Sequence, residues 1–578
     1  MPITELLERN AKEFADDVAL VEINPEIQEK KRVTWREYEL IQPDLRQQYR
    51  REITWHVFNE KANRVANLLI SRGVRKGDKV AILSANMPNW GITQFAIANI
   101  GAIAVPVLPG FCSTELQNIL EHAEVKVIFV SRLLAKCLEG VKTPFLEHKI
   151  LINNFSTIPE GCYQPEELDK LVPDISLNNT TPLPEVPIEE EDIASIIYTS
   201  GTTGFSKGVV LTHKNLVWDA RQCHTIQPVD ETYRFLSILP MAHTYENTLG
   251  LLLPLMFGAQ VYYLDRVPTP KLLVPAMQKI RPTVVLSVPL IIEKIYKSQV
   301  LPKFTSSKLM SKLYQFAPAR KLFNRLAGKK LMETFGGELK FFGIGGSKLD
   351  GTVEQFLREA KFPYAIGYGL TETAPMAAGS NPSQTFLQGV GPVMEGVQIK
   401  INDPDKSGQG EIWIKGPNVM KGYYKRPELT AETFTEDGWF KTGDLGSFDK
   451  KNRLAIRGRI KTMILGASGE NIYPEEIESI INNFRFVNES LVVENSGKLV
   501  AMVHFNMEEL EKQYQKLKDQ AGNYKEKIND YIEEQKQELR DYVNARVNNF
   551  SKLQLVLVQH EPFEKTPTHK IKRFLYCK

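Results

Sequence analysis

Residues 196–213, IIYTSGTTGFSKGVVLTH, gather glycines, threonines, serines and one lysine between two apolar runs. Glycine lets backbone N–H groups approach an anion closely, and hydroxyls add donors, so a loop of this make-up suits phosphate. It is not a Walker A loop, which reads G-x-x-x-x-G-K-[ST] and runs from a strand into a helix. Counted from Gly201, Ser206 stands before Lys207, and Gly208 replaces the hydroxyl that would hold a metal. Apolar Ile193–Tyr198 before the loop and Val209, Val210 and Leu211 after it predict strand–loop–strand instead.

Further segments share the theme of backbone and hydroxyls arranged around a nucleotide. FGIGGS (342–347) ends a strand in glycines, so a flat ring can lie against bare backbone. YAIGYGLTET (364–373) ends another in an aromatic, hydroxyls and a carboxylate. KTGDL (441–445) sets an Asp on a glycine turn suited to a ribose diol, GRIK (458–461) puts Arg beside Lys, and KTPTHKIKR (565–573) offers lysines on a terminal tail. Each alone reads as ordinary structure, since a Gly-Asp turn is mostly a turn and a terminal KIKR is mostly solvated charge. Jointly, and in this order, they are specific.

In that order the segments resemble the ANL adenylate-forming enzymes, and within them the AMP-forming long-chain fatty acid–CoA ligases, from about residue 50 onward. LPMAHTYE (239–246), with His243, is similar to the family's segment beside the acyl site, and GRIKTMILGASGENIYPEEIE to its hinge and small C-terminal domain. The resemblance implies ATP, Mg²⁺ and CoA as cofactor and substrates. Thr199, Ser200, Gly201, Thr202, Thr203, Gly204 and Lys207 would hold the β- and γ-phosphates. Gly345, Gly346, Ser347 and Tyr368 would bracket adenine, Thr371 would touch the α-phosphate, and Asp444 and Arg459 would hold the ribose hydroxyls. Glu372 would bind Mg²⁺, a role that suits one carboxylate plus substrate phosphates. Lys570 would bridge the attacking carboxylate and the α-phosphate, with Lys461 as hinge and Gly469 on the pantetheine path. Four positions depart from the family pattern: Ser206 for proline, His569 for glycine, Thr462 for an acidic residue and Leu290 for arginine. None removes a group the first step needs.

These residues need a frame. Helix and strand signals alternate over residues 53–130, with Thr54 capping a helix through Leu69, and the pattern resumes from Leu339, which argues for an α/β fold with buried, largely parallel strands. Short alternating strands near Gly396–Lys415 predict a small β layer, barrel-like in the implied fold. The expected division is a large N-terminal domain over 1–458 and a mobile α+β domain over 459–578. Within the latter, Glu508–Asn549 reads as a packed helix pair broken near Gly522-Asn523. Glu26–Arg51 reads as an insert with no role assigned.

Composition excludes several classes. The net charge is +3 and no block of like charge dominates, so nucleic acid is not expected as a partner. Five scattered cysteines and nine histidines show neither CxxC nor zinc spacing, which fits a reducing cytoplasm. No signal peptide is read, and the most apolar window, Ile92–Phe111, is interrupted by Gln94, Asn99 and Pro106, too broken for a span. A long-chain acid partitions into bilayers, so peripheral contact with the inner membrane surface stays open, although no basic amphipathic helix is read. Oligomeric state is not legible. The alternatives are an aryl or medium-chain acid, a carrier-protein acceptor, or, from another class, an ATP-binding scaffold without catalysis.

Overall fold

The computed structural model describes residues 2–24, 31–34, 49–111, 113–199, 206–266, 268–305, 307–465, 471–495, 498–517, 524–566 and 570–577. Their strands form two large sheets of nine and eight strands and three smaller ones. Lys79–Leu83 lies between Ile103–Val107 and Val125–Val130, all parallel, as helix–strand alternation requires. The helix Trp55–Ser71 opens on Thr54, whose side chain accepts from the Val57 N–H. The helix Pro88–Asn99 is buried at every residue but the last. Its polar residues are satisfied inside, with Asn89 donating to the Ile152 carbonyl at 2.7 Å and Gln94 paired with Asn247. This explains the apolar 92–111 window as core. No helix among the described residues is long and apolar enough to cross a membrane.

The nine-stranded sheet sets up the site. Arg234–Leu236, Val284–Ser287, Phe341–Ile344 and Tyr364–Gly369 run parallel in neighbouring positions, so their C-terminal ends finish along one edge. The small β layer is an open four-stranded antiparallel sheet, Gln398–Asn402, Gly410–Lys415, Phe440–Phe448 and Leu454–Arg459, and does not close into a barrel. Of the 26–51 stretch, the described parts, Lys31–Thr34 and the start of Tyr49–Thr54, extend the edge of the nine-stranded sheet.

The C-terminal residues have a core of their own. The helix Pro474–Asn482 and strands Val487–Asn495, Lys498–Phe505 and Leu555–Val558 bury Ile477, Ile481, Val492 and Val503. Helices Met507–Leu517 and Tyr524–Asn544 add Leu510, Leu539 and Val543 to that core. The Gly522-Asn523 break lies outside the described residues.

Candidate functional site

The two strands that flank the glycine-rich stretch form an antiparallel pair. Ile193–Thr199 faces Lys207–Thr212, with Thr199 opposite Lys207, which is strand–loop–strand. Ser200, Gly201, Thr202, Thr203 and Gly204 lie outside the described residues, as does Gly469. Lys207 leaves the loop with its ammonium 4.8 Å from the centre of the Tyr423 ring. Burial holds that ammonium below the ordinary lysine value, Glu372 opposes, and Lys461 and Arg459 add to the lowering.

Tyr423 belongs to the two-residue strand Gly422–Tyr423, which pairs with Val209 and Val210. Its hydroxyl donates to Glu372 Oε1 at 2.8 Å. Glu372 sits in the tight turn Thr371–Thr373 that follows strand Tyr364–Gly369, with Thr371 half-buried beside it. Thr373 pins this turn by donating to the Pro375 carbonyl at 2.6 Å and accepting from the Leu370 N–H at 2.9 Å.

Antiparallel pairing builds the next part. Asp444 on Phe440–Phe448 is the register partner of Arg459 on Leu454–Arg459, and Arg459 Nε stands 2.8 Å from Asp444 Oδ1. The other carboxylate oxygen accepts from the Tyr368 hydroxyl at 2.9 Å. Gly443, with φ +70°, makes the turn before Asp444, and its N–H donates to Glu411 at 3.0 Å. Burial raises the Asp444 carboxyl above its ordinary value, while Arg459 pulls it back.

Lys570 reaches the same cleft from the far end of the chain. Its carbonyl accepts from the Thr566 N–H at 2.7 Å, and Lys565 pairs with Ile571, so the tail folds back as a small loop. Enclosure by the cleft walls lowers the Lys570 ammonium below the lysine norm, Arg459 pushes the same way, and Asp444 and Glu372 oppose. Lys570 is nonetheless an exposed residue. His243 is held neutral, its value lowered to about 4 by burial and then by Lys570. Its Nδ1 accepts from the Tyr245 N–H at 3.2 Å.

Beside this cleft lies an apolar cavity lined by Tyr245, Leu249, Leu253, Leu286 and Met376. Strand register explains why it exists. Val284 and Leu286 stand beside Phe341 and Gly343, and Gly343 beside Ala365, so residues 284, 286, 341, 343 and 365 share one face. Two glycines, 343 and 367, leave that face bare, and Cys223, Leu249 and Leu253 line the cavity with it. A Cβ on Gly345 would come within 3.3 Å of the Tyr245 ring, and one on Gly343 within 2.9 Å of its hydroxyl. Gly346, at φ +88°, turns the chain away and is exposed with Ser347.

Lys461 is an exposed residue of the short turn Ile460–Thr462. Beyond it, the helix Pro474–Asn482 docks on the large body, where Glu476 meets Lys348 Nζ at 2.8 Å, and Asp350 accepts from Ser479 and Asn483. Thr462 donates to Glu475 at 2.6 Å. Sequence reasoning did not find Tyr423, Glu411 or Asp350. They lie in no motif, and only the pairing of distant strands reveals them.

A sequence profile of the family described as AMP-binding enzyme matches residues 7–424. A long-chain-fatty-acid–CoA ligase of Drosophila melanogaster, heimdall, is 30% identical over 463 residues, 74% of this chain and 67% of that one. Fatty acyl-CoA synthetase A of Dictyostelium discoideum is 26% identical over 573 residues, 89% of this chain and 82% of that one. Among solved structures, O-succinylbenzoate coenzyme A synthetase of Bacillus subtilis with ATP and magnesium ion superposes with a TM-score of 0.72 at 22% identity, covering 99% of each chain.

Proposed function

The chain belongs to the family of AMP-binding enzymes, and on that premise we propose that it is an acid–thiol ligase that activates a long-chain fatty acid. The acid's carboxylate oxygen attacks the α-phosphorus of ATP, forming acyl-adenylate and releasing pyrophosphate. The CoA thiol then attacks the acyl carbonyl, forming the thioester and releasing AMP. One observation carries this reading. Asp444 is held between Arg459 and Tyr368 while Tyr423 ties Glu372 to Lys207, and Gly367, next to Tyr368, lines the apolar cavity.

Asp444 and Arg459 are assigned to the ribose, Tyr368 with Gly345, Gly346 and Ser347 to adenine, and Thr371 to the α-phosphate. Thr199, Lys207 and the loop residues Ser200, Gly201, Thr202, Thr203 and Gly204 are assigned to the departing phosphates. Glu372 fits a hard cation. One of its oxygens accepts from Tyr423, and among the described residues no lysine or arginine lies within ion-pair distance of it. Mg²⁺ held there would neutralise charge on the phosphates. Lys570 brings a cation to the point where two anions meet, so most of its effect is electrostatic positioning.

The second step needs room where Lys570 stood. We assign residues 1–458 and 459–578 to two domains that turn about Lys461, with Gly469 on the thiol path. A cytoplasmic enzyme that meets its substrate at a membrane surface belongs to the same reading. The test is ATP–pyrophosphate exchange without CoA across acids from acetate to long-chain, with benzoate and a Lys570→Ala control. Exchange that peaks with long-chain acids and collapses in the variant is expected. A folded, ATP-binding protein that exchanges with no acid would sink the ligase.

A further inference from the structure

The connection between strands Val284–Ser287 and Phe341–Ile344 is long and helical, and its composition departs from the rest of the chain. Residues 290–334 carry ten lysines and arginines against two glutamates, Glu293 and Glu333, a local +8 in a chain of net +3. The same stretch exposes large apolar side chains: Leu309 at 70%, Phe316 at 63%, Leu322 and Leu326 at 58% each, and Leu313 at 39%. Surface leucines scattered singly need no explanation, but this many in one basic connection do.

Their spacing is regular. Leu309 and Leu313 lie four residues apart on the helix Lys308–Gln315, and Leu322 and Leu326 four apart on Ala317–Thr334, with Phe316 at the junction. The inner face of Ala317–Thr334 is fixed by contacts with Gly351–Ala360. Arg320 pairs with Glu359 at 2.9 Å, Asn324 donates to the same carboxylate at 2.7 Å, and Gly328 lies so close that a Cβ would meet the Ala360 carbonyl. At 100° per residue, Leu322 and Leu326 point the opposite way, flanked by exposed Arg325, Lys329 and Lys330. Glu333 ends that row. Next to Leu326 a groove runs between this helix and residues 295–304, walled by Ile295, Phe304 and Phe323, with Lys303 and Lys330 among its lining.

An apolar ridge bordered by cations, on helices that lie along a surface, has the chemistry of an interfacial anchor. We propose that residues 308–330 dock the protein on an anionic lipid bilayer, with Phe316, Leu322 and Leu326 entering the interface and Lys321, Arg325, Lys329 and Lys330 meeting headgroup phosphates. Charge complementarity selects this occupant over an apolar protein partner. The two strands that flank the connection, Val284–Ser287 and Phe341–Ile344, also wall the apolar cavity, so the docked surface and the cavity share a scaffold. Delivery of a membrane-dissolved acid to that cavity rests on the fatty-acid reading above, whereas bilayer binding does not. The ridge is hard to read from sequence because it spans two helices, Lys308–Gln315 and Ala317–Thr334, and the breaks at Ser307 and Phe316-Ala317 reset the periodicity.

Flotation of the full chain with vesicles, without ATP or acid, tests the surface apart from the reaction. Binding to phosphatidylcholine vesicles containing phosphatidylglycerol is expected, with little binding to phosphatidylcholine alone and weakening at high salt. Lys321→Glu with Arg325→Glu and Lys329→Glu lowers partitioning by about a hundredfold. Leu322→Ser with Leu326→Ser, confined to exposed positions, lowers it by about tenfold. Both variants keep pyrophosphate exchange with a water-soluble acid such as octanoate. Equal flotation with neutral vesicles, no flotation of the parent protein, capture of a soluble protein in place of vesicles, or flotation of either variant like the parent would overturn the proposal.

Discussion

Tyr423 joins Lys207 to Glu372: its ring lies 4.8 Å from the Lys207 ammonium and its hydroxyl donates to Glu372 Oε1 at 2.8 Å. One side chain thereby couples the exit of the glycine-rich loop to the carboxylate assigned to Mg²⁺. A hydrogen bond to a charged group contributes about 1.5–3 kcal/mol when its partner stays buried. Tyr423→Phe keeps the ring and removes the donor, so the Mg²⁺ concentration for half-maximal exchange should rise by about tenfold, with a stability loss no larger than the worth of that bond. A Mg²⁺ titration of pyrophosphate exchange decides it, and an unchanged midpoint would remove Tyr423 from the site.

Lys570 should matter for one half of the reaction. Lys570→Ala is expected to lower pyrophosphate exchange by about 10²–10³-fold, the usual effect of deleting a preorganised charge. Transfer to CoA from supplied acyl-adenylate should fall by less than about tenfold, because a rotated domain takes Lys570 out of the cleft. The ammonium is held below the ordinary lysine value. Exchange should therefore decline on the alkaline side earlier than a free lysine would dictate, and Lys570→Arg should push that limb to higher pH. Equal losses in both half-reactions would contradict the assignment.

Motifs with local geometry were legible from residues alone. The flanks of the glycine loop predicted two strands, Thr54 capped its helix, and the alternation over 53–130 gave parallel strands. Asp444 and Arg459 could be nominated separately, but their pairing comes from the antiparallel register of two strands. Tyr423 could not be found, since nothing in GYY distinguishes a site aromatic from a core one until its strand pairs with Val209 and Val210. The open small sheet, read as barrel-like, and the basic ridge share one cause: each is fixed by how separate short elements are arranged, which periodicity within one element does not carry.

Glu246 supplies a pH prediction away from the reacting groups. It is buried at the start of the helical segment Glu246–Leu252, with Oε1 accepting from Ser237 at 2.5 Å. Burial pushes its carboxyl up to about 8 from the ordinary 4.5, so the fold holds it neutral. Its stabilising contribution is complete below about 4.5, the unfolded value, and is lost as pH rises toward 8, at about 1.4 kcal/mol per pH unit. Glu246→Gln keeps a neutral group of the same shape. Its Tm should fall less steeply than that of the parent between about pH 5 and 8, and identical slopes would mean that Glu246 is ionised in the fold.

Cavity depth should set the acyl length accepted. Gly345 adjoins the cleft at Tyr245, and Phe341, four residues earlier on the same face, is the register partner of Val284. At about 3.3 Å per residue, Val284 lies some 13 Å from the Gly345 end, at the far side of the cavity. Phe235 flanks Val284 on the neighbouring strand, so that end is walled by aromatics already. Val284→Phe adds volume only there. Exchange with octanoate should keep its KM within about twofold, while palmitate should lose about tenfold or more in kcat/KM as its distal methylenes are shut out. Equal effects on both acids would place the acyl chain elsewhere, and a gain for palmitate would reverse the direction of the cavity.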